Sequence, residues 1–194
     1  TLVLHDCGGM IGMGWAARHP ERVARIAAFN TSCFRLPTGK AFPPGLAFLR
    51  GPLGALAIRG LGLGRRKVLQ SCTVKRPLSA DVAAGYLEPL SGWKEARAAH
   101  RFVQDIPLSP SDPAWNVVTA IEADLPALKS VPMFLPWGMK DWVFDEAFLN
   151  GWRERFPKAA VKRYEDCGHF LLEDATDSVV PLLRDFVAGK PVAA

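Results

Sequence analysis

An aspartate that follows a short apolar run and precedes two glycines is placed where a carboxylate can react. The stretch is Leu4-His5-Asp6-Cys7-Gly8-Gly9. The run before it, TLVLH over residues 1–5, reads as a buried parallel strand, and residues 10–18 read as a helix stopped at His19-Pro20. A reactive side chain on a sharp strand-to-helix turn needs small residues two and three places later, or the helix cannot pack close to the strand. Gly8 and Gly9 meet that need, and the helix N-terminus behind Asp6 favours an anion. The same residues also read as an Asp N-cap on a glycine-rich turn. Cys7 fits the nucleophile position badly, because His5 stands where a small residue is needed. Its backbone N–H is suited to holding an oxyanion.

Two later segments decide between these readings. Trp137-Gly138-Met139-Lys140-Asp141 puts an acid just beyond one strand, and Asp166-Cys167-Gly168-His169 puts a histidine just beyond the next. The chain order is nucleophile, acid, histidine, with all three at the C-terminal ends of parallel strands, where active groups gather. The chemistry of that trio is covalent. Asp6 attacks carbon and forms an ester. His169 acts as general base on water, and Asp141 fixes the imidazole tautomer and steadies its cation. Asp166, Glu173 and Asp174 compete for the acid role. Asp166 and Asp174 read as a turn residue and a solvated loop acid, and Glu173, four residues after His169, could support it.

Strand, turn, helix and a second buried strand at 23–29 make one βαβ unit. Residues 34–113 change character: Pro, Gly, Leu and Arg dominate, and amphipathic helices are expected over 78–90 and 93–103. The α/β pattern resumes with a helix at 115–128, a strand at 131–137, a helix at 146–156, an edge-type strand at 159–164 and a closing helix at 177–187. The fold class expected is α/β: the C-terminal portion of an α/β-hydrolase fold, a parallel sheet with helices on both faces and an α-helical cap insertion. Residues 1–33 form the core from the nucleophile strand onward, 34–113 the cap, and 114–189 the core with the acid and histidine strands. The N-terminal strands of that fold are expected to be missing, so the chain reads as a fragment, unstable and poorly active alone.

With 194 residues, 49% hydrophobic and 22% charged, the chain can bury a real core. No apolar run reaches the roughly 20 residues a membrane span requires. The four cysteines, Cys7, Cys33, Cys72 and Cys167, are scattered without metal-ligand spacing. Reduced thiols and a cytoplasmic location are expected, with no metal site. The net charge is +5, and no acid occurs between Glu21 and Asp81, a stretch holding Arg22, Arg25, Arg35, Lys40, Arg50, Arg59, Arg65, Arg66, Lys67, Lys75 and Arg76. That stretch reads as a solvated basic face rather than a docking surface, and no nucleic-acid motif accompanies it. The apolar cap residues Phe42, Leu46, Phe48, Leu49, Leu53, Leu56, Leu61 and Leu63 read first as helix packing, second as a greasy pocket for alkyl chains.

The stretches HDCGGMIGMGWAARHPERVARIAAFNTSCFRLP, RFVQDIPLSPSDPAW, WGMKDWVFDEAFL and EDCGHFLLEDA resemble the haloalkane dehalogenase superfamily, most of all its β-lactone decarboxylases of bacterial olefin biosynthesis. The resemblance runs from residue 1 to about 189. It places the family nucleophile on Asp6, the acid on Asp141 and the histidine on His169. It implies conversion of a long-chain cis-β-lactone to a cis-alkene and carbon dioxide, without cofactor. The implied partners are a hydrophobic small-molecule substrate and other enzymes of an olefin-biosynthesis assembly. Relatives usually carry Trp after the nucleophile, where its N–H binds halide; here Cys7, a weak donor, takes that place. Haloalkane dehalogenase stays as the alternative, with Asn30, Trp93 or Trp115 as substrate-binding donors. Epoxide hydrolase needs two cap tyrosines, and only Tyr86 is a cap candidate, since Tyr164 falls in a strand. The reading of another class is a hydrolase fold kept as a non-catalytic binding domain.

Overall fold

A computed structural model describes residues 1–51, 53–62 and 65–192, with the backbone alone for 65–68. Leu63 and the side chains of Arg65, Arg66 and Lys67 lie outside this description. Four parallel strands form one sheet in the order β1-β2-β3-β4: β1 Leu2–Asp6, β2 Ile26–Thr31, β3 Met133–Gly138 and β4 Ala160–Tyr164. The helices are α1 Gly8–Arg18, α2 Pro44–Arg50, α3 Arg65–Cys72, α4 Ala80–Leu87, α5 Arg97–Gln104, α6 Trp115–Asp124, α7 Glu146–Arg155, α8 Leu171–Asp174 and α9 Thr176–Val187.

The two central strands, β2 and β3, are buried along their whole length, which is why their sequences are apolar without alternation. Their side chains still alternate between two cores, as the two-residue period of a strand requires. Ile26, Ala28, Leu135 and Trp137 pack with Leu4, Met13, Phe148 and Trp152 on the α1, α6 and α7 side. Ala27, Phe29 and Phe134 pack with Tyr164, Leu171, Val179 and Phe186 on the α8 and α9 side. Strand β1 lies at an edge of the described sheet, and Val3 on it is 50% exposed. No helix among the described residues is long and apolar enough to cross a membrane.

The insertion between β2 and α6 is helical, as the fold class requires. Several expected boundaries shift because helices end in tighter turns. The helix expected over 78–90 is α4 followed by a 3₁₀ turn at Glu88–Leu90, and that expected over 115–128 is α6 followed by a 3₁₀ turn at Leu125–Leu128. Ser79 caps α4 by accepting from the Val82 N–H, and Asp145 caps α7 by accepting from the Ala147 N–H.

Two expectations about the cap are corrected. The basic stretch is not one solvated face. Arg35 pairs with Glu122, Lys40 with Asp145 at 2.7 Å, Arg50 with Asp112, and Lys75 with Asp166 at 2.9 Å. The remaining positive charge partly lies over rings: Arg22 over Trp15, Arg25 over Phe186 and Arg59 over Trp93. Acids that arrive later in the chain answer the run. The apolar cap residues are also not all packing groups, since Phe48, Leu53, Leu56 and Leu61 are exposed.

Candidate active site

Asp6 ends β1 with φ at +49°, a left-handed conformation that costs an L-residue roughly 1–2 kcal/mol. The turn holds it there. The β1–β2 register slips between His5 and Asp6, and the Thr31 hydroxyl donates to the Asp6 carbonyl. Helix α1 then leaves so close to β2 that a Cβ on Gly9 would lie 2.0 Å from Thr31 Oγ1 and 2.6 Å from the Ser32 carbonyl oxygen. Gly9 is therefore the residue that admits the sharp turn. Gly8 is free of that constraint, with nothing within 4 Å of its virtual Cβ, so only one of the two expected glycines is demanded by packing. The Asp6 side chain is exposed at the start of α1, whose first N–H groups have no intrahelical acceptor.

Asp141 lies just past the end of β3 and is 3% exposed. Its Oδ1 accepts from the Val143 N–H at 2.8 Å and the Phe144 N–H at 3.1 Å. Its Oδ2 accepts from Asn30 Nδ2 at 3.0 Å and stands 2.7 Å from His169 Nδ1. A carboxylate only accepts, so Nδ1 carries the hydrogen and Nε2 is left for chemistry. Burial works against a charged His169, but the hydrogen bond and charge of Asp141, with the charge of Asp6, outweigh it and raise the pKa. The Asp6 carboxylate makes a long side-chain contact, with the Cys7 thiol donating to Oδ1 at 3.8 Å.

His5 braces the histidine from β1. Its Nε2–H donates to the His169 carbonyl at 2.9 Å, and the two ring centroids are 4.5 Å apart. Burial and the neighbouring His169 push the His5 pKa down, so His5 acts as a neutral donor. Phe144 stacks on the other imidazole at 5.8 Å. Burial and the Asp6 charge push the Cys7 thiol up to about 12, which removes its thiolate as a rival nucleophile.

The expectations for Asn30, Glu173 and Asp174 are corrected. Asn30 is not a substrate donor: it is fully buried, its Oδ1 accepts from the Gly138 N–H at 2.8 Å, and its Nδ2 donates to the Gly138 carbonyl at 2.9 Å and to Asp141. Its amide is spent holding the acid. Trp93 lies under Arg59 at 4.3 Å in the cap, with its carbonyl accepting from Arg59 Nε, and Trp115 lies under Arg35 at 5.1 Å. Trp115 lines a cleft with Phe34, Arg35, Glu122 and Arg155, whose lining includes neither Asp6 nor His169. Glu173 supports Tyr86, whose hydroxyl donates to it at 2.9 Å, and not His169. Asp174 is no solvated loop acid. It is buried, and sequence reasoning missed it because its partners are backbone N–H groups of remote segments. Asp166 is an exposed turn residue paired with Lys75. No group of three or more metal-ligating side chains comes together among the described residues.

An acid–histidine pair beside a strained, exposed carboxylate on a strand-to-helix turn is the arrangement of a nucleophile elbow. A profile of the α/β-hydrolase fold family matches residues 1–176. The chain belongs to the α/β-hydrolase fold family. Within it the similarities run to the haloalkane dehalogenase superfamily and its β-lactone decarboxylases. The chain is 42% identical over 188 residues to a cis-3-alkyl-4-alkyloxetan-2-one decarboxylase of Shewanella oneidensis, covering 96% of this chain and 59% of that protein. It is 38% identical over 193 residues to a decarboxylase of the same name from Xanthomonas campestris pv. campestris, covering 99% and 64%. It therefore spans 59% and 64% of the lengths of these two relatives. The solved haloalkane dehalogenase DbeA of Bradyrhizobium elkani superposes with a TM-score of 0.81 at 24% identity, over 96% of this chain and 66% of that one.

Proposed function

We propose that the protein carrying this chain decarboxylates cis-β-lactones bearing two alkyl chains, with Asp6 as covalent nucleophile. The observation that supports this most is the exposed, left-handed Asp6 beside the buried Asp141–His169 pair, in a chain similar to two relatives named for that reaction.

The chemistry follows from balancing atoms. The Asp6 carboxylate attacks the ring carbon that bears the ring oxygen, with inversion. The C–O bond breaks, and the former ring ester becomes a free carboxylate. The bond from carbon to that carboxylate then breaks, its electron pair forms the C=C bond, and the Asp6 carboxylate leaves. Lactone becomes alkene and carbon dioxide, Asp6 is regenerated, and neither water nor a proton is consumed. One inversion followed by an anti elimination gives the cis-alkene from a cis-lactone. Attack at the ring carbonyl would instead leave an alkoxide with no route to carbon dioxide. His169, whose pKa the Asp141 hydrogen bond and charge raise against the effect of burial, steadies the carboxylate released in the first step. The Cys7 N–H and the first N–H groups of α1 are suited to the same charge. No cofactor enters this scheme.

The haloalkane dehalogenase alternative loses Asn30, whose amide is bonded to Gly138 and Asp141, and Trp115 lines a cleft whose lining includes neither Asp6 nor His169. The test is a full-length protein given a synthetic cis-3,4-dialkyl-oxetan-2-one, with product read by gas chromatography and mass detection. Cis-alkene from the parent and none from Asp6→Asn is the expected result. A folded protein that forms no alkene overturns the assignment. Halide release from a haloalkane would then establish the dehalogenase reading, and no ester at Asp6 with either substrate would establish the non-catalytic one.

A further inference from the structure

We propose that Asp174 is a positioning residue that couples the helical cap to His169, so that docking of the cap sets the placement of the histidine. The coupling is geometric; its consequence for turnover rests on the reading of His169 given above.

Asp174 ends α8 and is 6% exposed. Both of its oxygens are occupied by backbone donors from two segments far apart in sequence. Oδ1 accepts from the Val74 N–H at 3.0 Å and the Lys75 N–H at 3.1 Å. Oδ2 accepts from the Gly168 N–H at 2.7 Å and shares the Val74 N–H at 3.0 Å. Val74 and Lys75 lie just beyond α3, in the cap, and Gly168 is the residue before His169. An ionised carboxylate is the side chain suited to three converging N–H groups, since it only accepts and its bonds to N–H are strengthened by charge.

The seam is tight on both sides of the carboxylate. The Phe170 N–H donates to the Cys72 carbonyl at 2.7 Å, and a Cβ on Gly168 would lie 2.7 Å from that same oxygen. The peptide groups around His169 are thus held from three directions. Asp174 takes the Gly168 N–H, Cys72 of the cap takes the Phe170 N–H, and His5 of β1 donates to the His169 carbonyl at 2.9 Å. Those peptide planes fix where the His169 side chain starts, and its bond to Asp141 at 2.7 Å, with the His5 and Phe144 rings beside it, holds the imidazole's direction. A shift of residues 72–75 either breaks the bonds to Asp174 and Phe170 together or carries the segment around His169 with it. Lys75 adds an exposed ion pair to Asp166 outside the seam, which contributes little.

The experiment compares parent, Asp174→Asn and Lys75→Ala in the full-length protein, without substrate. Amide hydrogen exchange follows residues 72–75 and 168–170, and proton NMR follows the low-field resonance of the His169 Nδ1–H shared with Asp141. In Asp174→Asn the Val74, Lys75 and Gly168 amides should exchange together about tenfold faster or more, the factor for losing a charge-assisted hydrogen bond. The Nδ1–H resonance should broaden or vanish, while β3 keeps its protection. Lys75→Ala should match the parent, because Lys75 contributes its backbone N–H to the seam. Faster exchange at 74–75 with an unchanged Gly168 amide and Nδ1–H resonance would overturn the coupling, as would no change anywhere. If Asp174→Asn does not fold, Asp174→Glu keeps the charge, displaces it by one methylene and is read in the same way. Because none of these readings needs a lactone, failure of the coupling and failure of the proposed activity are separable.

Discussion

Replacing Asn30 by Ala tests how the acid is held. In the parent, the Asn30 amide closes a ring with the backbone of Gly138 and adds a third neutral donor to Asp141, all within the buried core. The Ala variant leaves the Gly138 N–H without its acceptor. It also takes one of two donors from the Gly138 carbonyl, which keeps the Asp141 N–H at 3.3 Å. A buried group left unpaired costs about 1–3 kcal/mol, and a hydrogen bond to a charge is worth about 1.5–3 kcal/mol. Asp141 retains Val143, Phe144 and His169, which limits the loss there. Asn30 also has φ at +32°, a region Asn tolerates better than Ala. The expected destabilisation is about 3–5 kcal/mol. Urea unfolding of the full-length protein should show it as a lower midpoint with an unchanged slope. Lactone turnover should fall about tenfold or more as the acid loosens. A loss under about 1 kcal/mol together with parental turnover would refute the reasoning.

The two glycines of the elbow should behave oppositely. Gly9→Ala meets Thr31 Oγ1 and the Ser32 backbone and should cost about 2–4 kcal/mol, whereas Gly8→Ala should stay within about 1 kcal/mol of the parent in thermal unfolding. Equal effects would contradict the described turn. The raised His169 pKa fixes a sign. Its charged form is favoured in the folded state, so its contribution is fully present below the ordinary histidine value of 6.5 and is lost as pH rises through the raised value. The stability gap between the parent and His169→Gln should therefore narrow with rising pH, and a gap that widens would show the shift to be downward. With its thiol pushed up to about 12, Cys7 should resist iodoacetamide at neutral pH, read by peptide mass mapping. Rapid alkylation at Cys7 would reopen it as a nucleophile.

Much of this molecule was legible before any coordinates. The runs at 1–5, 23–29 and 131–137 read as buried parallel strands with polar groups just beyond their C-terminal ends, and the strands form at Leu2–Asp6, Ile26–Thr31 and Met133–Gly138. Asp6 and Asp141 stand at two such ends, and His169 follows the edge strand β4, because the covalent order of the chain puts them there. Proximity in sequence also decides that Cys7 is the residue beside the elbow.

What the sequence could not decide are pairings between segments that only folding brings together. Asn30 and Asp174 read as a free donor and a loop acid because their partners, Gly138 and Asp141 for one and Val74, Lys75 and Gly168 for the other, are mostly backbone groups far along the chain. Backbone N–H and C=O groups are identical in every residue, so no side-chain pattern marks which of them will need a partner. The basic stretch misled for the same reason, since Glu122, Asp145, Asp112 and Asp166 reach it only in three dimensions. Local periodicity and turn chemistry set the elements and the order of the reactive groups. Tertiary packing set which polar atoms are spent on structure and which are left for the substrate.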